Sequence, residues 1–130
     1  MNFRILTSLF AIGMALGWSG TAAAHHSFAA TYLVDETSTI EGTMKEFLWR
    51  NPHSFVRVEA PDEKGVMQVW SIEWGGGAQL SQSHVTRETL KPGDHVIVTG
   101  NPGRDPQEHR LRMKSITRPS DGFKWEGAVQ

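Results

Sequence analysis

Five short runs of alternating apolar and polar residues, each stopped by Pro, Gly or Asn, occupy the sequence from residue 39 onward. A period of two puts successive side chains on opposite faces of a strand, so such runs specify β-structure with one buried face. The first run is 39–49. Ile40, Gly42 and Met44 alternate with Thr39, Glu41, Thr43 and Lys45, and the apolar positions then change parity at Phe47 and Trp49. A parity change inside one strand predicts a bulge or strong bend near Lys45–Glu46. Arg50-Asn51-Pro52 breaks the run, since Pro has no N–H for a ladder. The second run, 53–60, sets Val56 and Val58 on one face and Phe55 on the other. Pro61 to Gly65 reads as a hairpin connection. The third, 66–74, aligns Trp70, Ile72 and Trp74.

Gly75-Gly76-Gly77 ends that strand, and 78–84 reads as a short helix. A further helical turn over 85–90 is expected, with Thr86 as its cap. Strands follow over 95–100, with Val96 and Val98 inside, and over 110–117, where Leu111 and Met113 alternate with Arg112 and Lys114. The tail from Pro119 is polar except for Phe123 and Trp125, and no element is assigned to it. Five short strands with a helix between the third and fourth is the order of an OB-type barrel. The predicted class is therefore all-β: a small five-stranded OB-type barrel with one short helix between strands three and four. A β-sandwich is the alternative, but five strands are few for two sheets.

The first 24 residues read as an address. A basic start at Arg4, an apolar run over 5–18 and the small-residue box Ala22-x-Ala24 form the three-part pattern of a cleavable secretory signal. The apolar run of 14 residues is short of the roughly 20 needed to cross a bilayer. The expected organisation is a signal peptide over 1–24 and one domain over 25–130, placing the mature protein in an exported compartment, most simply a bacterial periplasm. Cleavage leaves 106 of the 130 residues, with 12 basic side chains against 14 acidic once Arg4 is gone. That balance gives no electrostatic reason to expect nucleic acid. No further run is long enough for a membrane span. The sequence has no Cys, which excludes disulfides, thiolate nucleophiles and zinc–thiolate sites.

Cleavage after Ala24 would free an amine on His25, with His26 next to it. An N-terminal His chelates a metal through its amine and a ring nitrogen, and nitrogen donors favour Cu(II) among first-row divalent ions. His53 is the candidate third ligand, because Asn51-Pro52 fixes the chain just before it and Trp49 and Phe55 flank it. The plainer alternative is a frayed end carrying two solvated imidazoles. His84, His95 and His109 read as structural or solvated. Trp49, Trp70 and Trp74, all within the first three strands, are candidate ligand-binding aromatics, since small barrels often bind ligands on the face of strands two and three. Trp70 and Trp74 share a face, so either one stays in the core or both line a groove. Gly75–Gly77 lacks the residues of a nucleotide loop and serves more simply as a sharp turn. Glu73, between Ile72 and Trp74, is the strand carboxylate expected to be partly buried. No nucleophile elbow, zinc helix or Ser/His/Asp arrangement is visible, which favours a non-catalytic protein.

Ala24-His25-His26-Ser27-Phe28, Glu41-Gly42-Thr43, Trp49-x-Asn51-Pro52-His53, Lys91-Pro92-Gly93-Asp94 and Gly100-Asn101-Pro102 occur in order. With these the chain resembles a family of small exported bacterial proteins classed only as a domain of unknown function. The resemblance spans the mature chain. It implies export, one small β domain and no assigned enzyme activity. In size and layout the chain is also similar to periplasmic OB-type proteins that bind ligands or partners. Two functional readings follow. One is a binding protein with a copper-type site at His25, His26 and His53. The other is a metal-free module for a small ligand or a periplasmic protein partner, such as an oxidoreductase it would assist.

Overall fold

The computed structural model describes residues 28–130; the predicted signal, His25 and His26 lie outside them. After one helical turn over 28–31, the chain forms β1 (Ser38–Leu48), β2 (His53–Pro61), β3 (Met67–Gly75), the helix α1 (Gly77–Gln82), β4 (His95–Pro102), β5 (Arg110–Arg118) and β6 (Phe123–Glu126). The sheet order is β3-β2-β1-β4-β5-β6, and a parallel pairing of β3 with β5 closes the first five strands into a barrel. This is the predicted architecture. Among the described residues no helix is long and apolar enough to cross a membrane.

The bend in β1 lies where the parity change puts it. Thr43 and Met44 oppose Glu59 and Val58, the register then slips, and Glu46 opposes Arg57. The extra residue lets β1 pair with β4 through its first half and with β2 through its second. Close approach is needed just before the bulge: a Cβ on Gly42 would lie 2.0 Å from the Glu59 carbonyl oxygen. Closure rests on three pairs, Ser71 with Arg110, Ile72 with Leu111 and Glu73 with Arg112. The inward faces supply Met44, Val56, Val58, Ile72, Val96, Val98, Leu111, Met113 and Ile116, all essentially inaccessible. Leu80 of α1 and Leu90 add to this core.

Two local expectations are corrected. Residues 85–90 form a side-chain-stabilised turn, in which the Thr86 N–H donates to Thr89 Oγ1 and the Glu88 N–H donates to Thr86 Oγ1. These bonds compete with a helical ladder. The tail carries a sixth strand, β6, paired with the second half of β5 from Ser115 to Arg118. Its Trp125 is buried and meets Trp74 edge-on at 5.2 Å between centroids.

Arg118 ties the end of β5 to two neighbouring turns. Its guanidinium donates to both carboxylate oxygens of Asp121, to Asp94 Oδ2 at 2.6 Å and to the Thr89 carbonyl at 2.7 Å. Burial alone would raise the Asp94 carboxyl, but the Lys91 N–H and Arg118 outweigh it and hold it below its ordinary value.

Trp125→Ala should lower stability by about 3 kcal/mol, read from the urea midpoint, because it empties the cap over Trp74. Arg118→Ala should shift that midpoint down at neutral pH. A depressed folded-state pKa contributes stability above the unfolded value, lost as pH falls through the folded one. The gap between Arg118→Ala and the parent should therefore shrink as urea melts are repeated below about pH 4.

Candidate functional site

Strand alternation sends Ile72 and Trp74 into the barrel, so Glu73 between them must point out. An outward carboxylate is ordinarily hydrated, yet Glu73 is only 8% exposed. Its cover is the segment that enters β1. The Leu33 N–H donates to the Pro102 carbonyl at 2.9 Å, the Arg104 N–H to the Thr31 carbonyl at 2.9 Å, and Arg104 Nε to the Ala29 carbonyl at 2.6 Å. These bonds lay Phe28 and Tyr32 over the junction of β3 and β5.

Under that cover the carboxylate takes two side-chain hydrogen bonds. The Tyr32 hydroxyl donates to Oε2 at 2.5 Å, and His53 Nδ1 lies 2.5 Å from Oε1. His53 opens β2 opposite Gly75, two register places from the Phe55–Glu73 pair, which brings its ring across to Glu73. His53 Nε2 meets the Gln130 main-chain oxygen at 2.9 Å. Each ring nitrogen therefore has an oxygen within hydrogen-bond distance, so the ring is held from both sides. Phe28 stacks on His53 with 5.5 Å between centroids and 24° between planes. The Arg112 guanidinium carbon sits 3.7 Å from the Phe28 ring centroid, and its Nη2 donates to the Val129 carbonyl.

The surroundings set the protonation of the cluster's outer members. Burial, then the hydrogen bond and charge of Glu73, push the Tyr32 phenol well above its ordinary value, so it remains a donor. Burial lowers Arg112, with the negative charge of Glu73 opposing it. The result is a partly buried tyrosine–carboxylate–histidine chain with an arginine beside it. Such a chain fixes the orientation of an imidazole whose outer nitrogen lies near the surface.

The structure separates the remaining predicted site residues. Trp74 is fully buried, stacked on Phe47 at 5.6 Å, with its Nε1 unpartnered. It takes the core alternative and offers no surface to a ligand. Trp70 is half-buried, donates from Nε1 to the Ala60 carbonyl at 3.2 Å and meets His109 edge-on at 5.2 Å. Trp49 is half-buried beside Phe47, with the Arg87 guanidinium carbon 5.9 Å from its ring centroid. These three tryptophans do not line one groove. His95 pairs with Glu41 on the surface at 2.7 Å, and His84 is exposed. Among the described residues no three His, Cys, Asp or Glu side chains gather as a metal site. Sequence reasoning missed Phe28, Tyr32, Arg112 and Gln130.

A model of a protein family described as a family of unknown function (DUF6152) matches residues 14–112 of this chain. The match takes in Phe28, Tyr32, His53, Glu73 and Arg112 and stops before Gln130. No curated protein matches the chain.

Tyr32→Phe should leave the barrel intact but cost about 1–3 kcal/mol, because a buried carboxylate loses one of its donors. Urea unfolding of the variant against the parent checks this, with far-UV circular dichroism reporting the retained fold.

Proposed function

The chain belongs to that family of unknown function, and from its geometry we propose that it is an exported, non-catalytic binding protein with a copper-type site where the chain enters the barrel. The fold, a small closed β-barrel, is compatible with a binding role. The observation that carries the proposal is the stack of Phe28 on His53. His26 lies two residues before Phe28, so its Cα is within about 7 Å of the Phe28 Cα by chain length alone. The separation of 27 residues between His26 and His53 in sequence is thus no obstacle to a shared site.

In this reading His25 supplies its amine and imidazole, His26 a second imidazole, and His53 its Nε2. A metal at Nε2 would take the place of the Gln130 oxygen. Glu73 then acts as the outer carboxylate on Nδ1, the arrangement that commonly fixes the ring of a metal-bound histidine. The preference for copper follows from an all-nitrogen donor set without thiolate.

The test uses protein exported and processed by its own signal, with an intact mass starting at His25. Titration with Cu(II), followed by EPR, should show one tight site with nitrogen hyperfine structure. His53→Ala should weaken it at least about tenfold, and Glu73→Gln by about 10–100-fold. An added residue before His25 should abolish it. Copper held no tighter than by a loose peptide chelate overturns the proposal.

A further inference from the structure

Beside this cluster, on the side of the helix, an open hollow of about 310 Å³ is lined by Asn51, Pro52, Gly76, Ala78, Gln79, Gln82 and Gln130. No lining side chain is ionisable, and all the polar ones are carboxamides. We propose that the hollow is a binding site for a small neutral polyhydroxylated molecule, of the sugar or polyol class.

The argument rests on which carboxamide groups are spent and which are free. Gln79 is spent: its Nε2 donates to the Ala128 carbonyl at 2.8 Å, which ties the tail beside the hollow. Its Oε1 is buried without a partner, against Gly75. Asn51 uses its oxygen alone, accepting weakly from the Ala78 N–H at 3.4 Å, and its amide N–H groups stay free. The carboxamides of Gln82 and Gln130 make no hydrogen bond among the described residues. Three side chains from three parts of the chain thus bring unspent donors and acceptors to one place.

That set discriminates by charge. Each carboxamide both donates and accepts, so it can exchange its water bonds one for one with hydroxyls, which also do both. An ion would give up hydration and meet no countercharge among these side chains, an unfavourable trade. The volume is at the small end for ligand pockets, matching a single ring or a short polyol. The floor is fixed by close backbone contact: a Cβ on Gly76 would lie 2.3 Å from the Pro52 oxygen and 2.9 Å from Asn51 Oδ1. The 51–52 connection therefore rests directly on Gly76 and holds Asn51 in place.

The probes are glucose, N-acetylglucosamine and glycerol, titrated into the ¹⁵N-labelled exported protein. Glucuronate, and glucosamine at pH 6 where its amine is charged, serve as ionic counterparts. At least one neutral probe should shift the side-chain amide signals of Asn51, Gln82 and Gln130 saturably, with Kd near the millimolar range. The charged sugars should bind at least about tenfold more weakly, and Gln82→Ala, on an exposed face, should weaken the neutral probe about fivefold at unchanged Tm. Three results would overturn the proposal: no saturable shift with any neutral probe up to about 100 mM, equal binding of the charged sugars, or saturation by a blocked amino-acid amide and by no sugar.

Discussion

Three residue pairs in parallel register, Ser71–Glu73 against Arg110–Arg112, turn a sheet into a barrel. A parallel pair requires a crossover, and here the chain runs through α1 and β4 between the two strands. The inward side of the junction puts Ile72 beside Leu111 in the core. The outward side puts Glu73 beside Arg112, opposite charges whose burial then depends on a lid. The N-terminal turn supplies that lid with Phe28 and Tyr32, and the tail adds Val129 and Gln130. Closure and the buried polar cluster are thus two faces of one contact.

Most of the barrel was legible because period two is a local property. The five strands, the bulge in β1 and the helix between β3 and β4 all follow from spacing within short windows. The bulge was visible because the apolar parity changes between Met44 and Phe47, and nothing but an extra residue allows both to face the core. What escaped was shorter or competed with side chains. Phe123–Glu126 is too brief for alternation to stand out, and only its docking on β5 makes it a strand. At Thr86 a cap-like residue was read as a helix start, but its hydroxyl and that of Thr89 close a turn instead.

The cluster was legible only in part, for a physical reason. His53 stood out through Asn51-Pro52 before it, and Glu73 through its place between two core residues. Their meeting could not be read, since an outward carboxylate becomes buried only if something distant covers it. Tyr32 lies 41 residues from Glu73, and Gln130 lies 77 from His53. No periodicity spans such separations. The tryptophans stood between two readings: shared parity left Trp70 and Trp74 either with one in the core or both along a groove, and the burial of Trp74 with Trp70 half-buried takes the first.

The position of Gln130 against His53 also has a bearing on time. Phe28 and Tyr32 lie roughly a hundred residues in sequence from the segment that closes over the other side of the imidazole. Until residues 128–130 arrive, His53 keeps an unsatisfied outer nitrogen, Arg112 lacks its Val129 acceptor, and Gln79 lacks Ala128. Trp74 likewise stays uncapped until β6 pairs with β5. Tightening of the cluster is therefore a long-range event, of the slow kind, that needs both distant segments docked on the barrel.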